Sequence, residues 1–177
     1  MVNTLYFTDR DLYVLNGTID LAEDLVTDYF KLSPDDWNEY HYEIRTLAYL
    51  NQAELTEKAF AQICKYECVK KGETHPPMFF DLYRICLQDN WILHAVKRSL
   101  REVELRPLML YILTHELAHV VRFSKYYKDF FATPEEKELE EAIVHSITYE
   151  MLKSLGDKDL DRVLCQYKNY RWDLMEV

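Results

Sequence analysis

The stretch Leu108-Met109-Leu110-Tyr111-Ile112-Leu113-Thr114-His115-Glu116-Leu117-Ala118-His119-Val120-Val121 decides how this chain folds. Apolar residues fall all round its helical wheel, so it reads as a central helix buried on every side. Pro107 opens the helix, and the pattern runs to about Tyr126. Two histidines and a carboxylate are set into it as His115-Glu116-Leu117-Ala118-His119. Histidines four apart lie about 40° apart on the wheel, one turn above the other. Their imidazoles can reach one tetrahedral Zn²⁺ at about 2.0–2.1 Å. Glu116 lies on the adjoining arc, where it contacts a water rather than the ion, as a general base must. Burying two imidazoles and a carboxylate is costly unless something satisfies them, and a metal ion does so.

A catalytic zinc needs a third protein ligand and one open position. The metzincin solution fails, because the places three and six residues beyond His119 hold Arg122 and Lys125. The remaining source is the next helix. Thr133-Pro134-Glu135-Glu136 is a capping box with proline in the first turn, and Gly156 stops the helix after about Leu155. It offers Glu138, Glu140 and Glu141. At about 100° per residue, Ile143, Val144, Ile147, Met151, Leu152 and Leu155 form its apolar arc. Glu138 falls outside, beside Tyr149 and Lys153, whereas Glu140 and Glu141 fall inside. Glu141 also sits one turn before His145, so a carboxylate ligand would have a hydrogen-bonding neighbour on the same face. Glu141 is therefore the preferred third ligand and Glu140 the alternative. The metal-site core spans about residues 107–155.

His115-Glu116-Leu117-Ala118-His119, followed after 21 residues by Glu141 in Glu140-Glu141-Ala142, resembles the gluzincin metallopeptidases. Small members such as the minigluzincins and the ImmA/IrrE-like proteases are the most similar in kind. The resemblance covers roughly Leu108 to Leu155. It implies a zincin-like active-site helix pair and Zn²⁺ on His115, His119 and Glu141. It further implies Glu116 as general base and a peptide or protein substrate. Gluzincins often carry Asp four residues after the ligand Glu, to orient a motif histidine. Here that place holds His145, which either takes over the orienting role or donates to the oxyanion. Gluzincins usually bind substrate along an edge strand upstream of the motif helix, and Tyr83 to Gln88 is the candidate. Two other readings stand beside this one. The chain could be a non-catalytic zinc-stabilised regulatory or interaction module. Glu116 and His119 also spell half of a di-iron signature, but the second half is missing because position 142 is Ala.

The rest of the chain sets the frame. Its 177 residues, 49% hydrophobic and 29% charged, suit one domain over 1–177 with one core. A net charge of −10 argues against a nucleic-acid partner. No stretch suits a signal peptide or a membrane span. Cys64, Cys68, Cys86 and Cys165 read as reduced thiols, so a cytoplasmic protein is expected. Cys64 and Cys68 lack the second Cys/His pair of a zinc knuckle.

The expected fold is mainly α, with a small sheet or hairpin at most; the rival is a fuller α+β zincin with three or more strands before Pro107. Helices are expected over Ile19–Leu32, Pro34–Leu50, Ala53–Lys71 (ended by Gly72), from Asn90 through Leu93, Val96, Leu100 and Val103, and over Asp157–Tyr170. Leu5 to Ile19 reads as a hairpin around Asn16-Gly17 or as loop and helix, and Glu73 to Pro77 as a turn. Met78 to Gln88 fits strand and helix alike. His41, His75 and His94 read as ordinary surface or core-edge residues. Tyr126, Tyr127 and Tyr149 read first as packing, and Arg122 as half of a salt bridge.

Overall fold

A computed structural model describes residues 4–70, 78–99 and 103–167. Gly72, the Glu73–Pro77 turn, His75, Leu100 and the end of the last expected helix lie outside them. Among the described residues the chain is mainly helical, with six α-helices and one three-stranded sheet.

Helix α1 (Asp9–Phe30) starts earlier than the periodicity after Thr18 suggests. Thr8 and Asp11 form a reciprocal capping box, and Leu15, Thr18, Ala22, Val26 and Phe30 make one buried stripe. Asn16-Gly17 therefore lies inside a helix, and the hairpin reading is wrong. Lys31, in the left-handed region at φ 53°, ends it.

Two expected helices are corrected. Helix α2 (Pro34–Glu39) keeps its Ser33 cap and its proline but ends eleven residues before the expected Leu50. Strand β1 (Tyr42–Arg45) and a 3₁₀ turn at Leu47–Tyr49 follow. Within Ala53–Lys71, a second 3₁₀ turn spans Gln52–Glu54, and β2 (Ala61–Val69) takes most of the rest. The ambiguous segment is β3 (Phe79–Leu87). Pairing explains the override. β2 runs antiparallel to β3 over nine residues, and β1 runs parallel to it from Tyr42↔Tyr83 to Arg45↔Cys86. A strand draws its stability from cross-strand neighbours, which one segment's periodicity does not reveal.

The sheet order is β1-β3-β2. All three strands precede Pro107, but at 4, 9 and 9 residues they leave the protein mainly helical. Helix α3 (Asp89–Arg98) follows, and buried Asp89 accepts hydrogen bonds from the amides of Phe7 (3.1 Å) and Leu47 (3.0 Å). Helix α4 (Leu105–Lys125) is the axis of the molecule, with every residue from Pro107 to Val121 buried. It packs against α1, α3, β2, α5 (Pro134–Lys153) and α6 (Lys158–Tyr167). No described helix is long and apolar enough to cross a membrane, and all four cysteines are free. Cys64 and Cys68 lie on β2 rather than on a helix.

Candidate metal centre

The site lies where α4 meets α5. The Thr133 hydroxyl accepts from the Glu136 amide, while the Glu136 carboxylate accepts from the Thr133 amide. This box sets the start of α5, and two turns later Glu140 and Glu141 face α4. They part company there. Glu140 accepts from the Arg122 guanidinium through two contacts, the Nη2–Oε2 one at 2.8 Å. Glu141 turns to the histidines, with Oε1 2.8 Å from His115 Nε2 and Oε2 2.9 Å from His119 Nε2. The structure thus brings His115, His119 and Glu141 together, and engages Glu140 and Arg122 with each other. Glu138 is exposed.

His115 and His119 are buried, with ring centroids 4.9 Å apart. The electrostatics follow from that burial. Desolvation alone would raise the Glu141 pKa, but the charge of His115 and the charge and hydrogen bond of His119 outweigh it and hold the carboxyl far below its usual range. Desolvation opposes charge on His119, yet the carboxylate of Glu141 raises its pKa. His145 is pushed down to about 4, first by burial and then by His115, so its ring is neutral near pH 7.

The donor set suits a small divalent cation: two imidazole nitrogens and a carboxylate at one point, the set of a three-ligand zinc site. Oε1 of Glu141, though 2.8 Å from His115 Nε2, makes no hydrogen bond in this alignment, and buried Nδ1 of His119 has none either. A lone pair facing an imidazole nitrogen at that distance is an arrangement a shared cation would satisfy. The residues present therefore fit zinc.

His145 stands behind Glu141. Its Nε2 is 3.4 Å from Oε1, its ring centroid is 4.7 Å from that of His115, and Nδ1 is 3.2 Å from the Tyr111 hydroxyl. Donor atoms of His115, Glu141 and His145 lie within 4.8 Å of one another. A cleft of about 380 Å³ is lined by His115, Glu116, His119 and Glu141 on one wall and by Ala61 to Ile63 of β2 on the other. Another cavity of about 460 Å³ opens beyond His119 and Glu141, with Phe123, Phe130, Leu139 and Ile143 in its walls. His145 lines neither.

Neither family models, curated proteins nor solved structures match the chain.

Two parts of the site escape the sequence reading. Tyr111 lies one turn before His115 on the same helical face, a spacing that was legible. The strand beside the cleft is β2, not Tyr83 to Gln88. The stretch Tyr83–Leu87 belongs to β3, the central strand, whose Tyr83 to Cys86 pair with β1 on one side and β2 on the other. A central strand has no free edge to offer a peptide.

Proposed function

We propose that this protein is a zinc-dependent hydrolase, specifically a metallopeptidase of gluzincin type. One observation carries the reading: both motif histidines meet the two oxygens of one carboxylate from the next helix, in the floor of a cleft that Glu116 also lines. His115, His119 and Glu141 would hold the ion. Its contribution when bound is to acidify water and polarise the scissile carbonyl. Glu116 moves the proton: a carboxylate oxygen takes it from the attacking water and delivers it to the leaving amine nitrogen.

A peptide substrate is supported by the edge of the sheet. The amide of Gln88 donates to Phe60 O (2.8 Å) and that of Lys70 to Met78 O (2.9 Å). Because bonded and non-bonded pairs alternate in an antiparallel ladder, the even residues of β2 bond to β3. The main-chain groups of Ala61, Ile63 and Lys65 then face away from β3, and Ala61 and Ile63 line the cleft. An extended peptide can add to that edge as a further strand.

The test is Glu116→Gln. Zinc content should be unchanged, while cleavage of a mixed peptide library, read by mass spectrometry, should be abolished. Full retention of cleavage would sink the assignment. A second reading, a non-catalytic zinc-stabilised module, is favoured by the approach of His145 to His115 and Glu141. A fourth protein ligand would close the site. Zinc-loaded wild-type protein that cleaves nothing in the library would support that alternative.

A further inference from the structure

We infer that Arg122 is a positioning residue. By holding Glu140 through a two-point contact it fixes the register of α5 on α4, and so decides that Glu141, not its neighbour, meets the motif histidines. The inference rests on the metal site of the preceding reading.

The contacts between the two helices form a ladder. Arg122 meets Glu140, and His119 meets Glu141. His115 meets Glu141 and lies 4.7 Å from His145 between ring centroids, and Tyr111 meets His145 at 3.2 Å. Residue numbers rise along α5 as they fall along α4, so the helices run antiparallel here. On α4, Arg122, His119 and His115 share an arc of about 60°, which places the guanidinium on the same face as both imidazoles.

Of these contacts, the one from Arg122 joins a permanent cation to a carboxylate. A guanidinium stays charged across the accessible pH range and offers its donors in a fixed fork. Nε donates to Oε1 and Nη2 donates to Oε2, the latter at 2.8 Å, so both oxygens of Glu140 are engaged and the carboxylate plane is set. The two side chains are only 11% and 14% exposed, so water competes little for them, unlike the loose ion pairs of a surface.

Glu140 is a rival for the site. It lines the same cavity as His119 and Glu141. Neighbours on a helix differ by about 100° of rotation and about 1.5 Å of rise. Turning α5 by one residue would therefore offer Glu140 in place of Glu141. A binding constellation has to be held within about 0.5 Å. Loss of the tie reaches the metal site through α5, without any change to a ligand.

The test is zinc affinity by chelator competition, with urea denaturation as a separate reading of stability. Removing a group that orients metal ligands typically weakens binding about 10–100-fold. Arg122→Met should fall in that range. Arg122→Lys keeps the charge but not the fork and should lie between that variant and wild type; it also serves if Arg122→Met does not fold. Exchanging the partners, Arg122→Glu with Glu140→Arg, rebuilds the pair and should recover most of the lost affinity. A salt bridge that is only structural would lower stability and leave the zinc affinity of the folded protein untouched. Wild-type affinity in Arg122→Met, or in Arg122→Lys if that is the variant that folds, would overturn the inference. So would an exchange that restores stability but not affinity. Either result leaves the Glu116→Gln test intact. Wild-type protein that takes up no stoichiometric zinc would instead remove the metal site, and this inference with it.

Discussion

Two clusters that bury charge are resolved differently. On the sheet face away from α4, Glu54 is fully enclosed and Arg84 bonds it and Glu43 together. The Tyr66 hydroxyl donates to Glu54 at 2.5 Å, the Asn51 amide donates at 2.9 Å, and the guanidinium lies 4.6 Å from the Tyr66 ring centroid. Carboxylate and cation are both supplied by the chain. Between α4 and α5, Glu141 meets titratable imidazoles instead. The first cluster completes itself and reads as architecture. The second gathers two imidazoles and a carboxylate, the donor set we propose for a divalent cation.

The largest effect should come from breaking the self-contained cluster. Arg84→Met leaves Glu54 enclosed without its cation, and opening a buried pair from one side costs about 3–5 kcal/mol. Urea denaturation should show that loss equally with zinc and with chelator. A loss that zinc alters would mean the two clusters are not independent. Zinc itself should come next. If it binds the native state alone, a thousandfold excess over the dissociation constant stabilises by about 4 kcal/mol. Chelator should lower the melting temperature accordingly, and Glu141→Ala should abolish the difference between the zinc and chelator melts. Identical melting with and without zinc would dissolve the contrast between the clusters.

The same contrast explains what was readable from the chain. His115, His119, Thr133 and Glu141 were legible because the information is local: two residues one turn apart, a capping box, and an arc on one helix. The preference for Glu141 over Glu140 came from its spacing to His145, and the structure gives Glu140 a partner, Arg122, that single-helix geometry does not show. The sheet was not legible. Leu55, Ala59, Ile63 and Glu67 imitate a helical stripe, and only β3, lying antiparallel alongside, makes Ala61–Val69 a strand. The Thr8–Asp11 box was as plain as that of Thr133, but the apolar run after Thr18 drew the helix start ten residues too late. Nothing local connects Glu54 to Arg84, which are 30 residues apart.

Acid should separate the clusters more gently. Without metal, the raised pKa of His119 stabilises at low pH and loses that effect as pH rises through the folded value. The depressed pKa of Glu141 stabilises above the usual carboxylate range and is lost as pH falls. Zinc must displace protons from imidazole, so the zinc-dependent gain in melting temperature should shrink below about pH 6. Glu54 behaves otherwise. Burial opposes its charge, but Tyr66, Asn51 and Arg84 bring its pKa down to about 2. Its contribution should be full above about pH 4.5 and fade only as pH approaches 2, with or without zinc. A zinc gain independent of pH from 5 to 8 would argue against imidazole ligands.

The smallest effect tests whether the frame of α5 and the site it carries are separable. Thr133→Ala removes one side-chain acceptor from the helix start and should cost about 1 kcal/mol, as typical caps do. Glu141 lies two turns further on, and its position rests on packing against α4 and on the imidazoles, neither of which the cap touches. Fraying of the first turn reaches Glu136 before Glu140, and Arg122 ties Glu140 down. Stability should therefore fall by the same small amount in zinc and in chelator, with zinc affinity unchanged within about twofold. If Thr133→Ala weakened zinc binding tenfold, the carboxylate would owe its place to the helix start rather than to its contacts with α4.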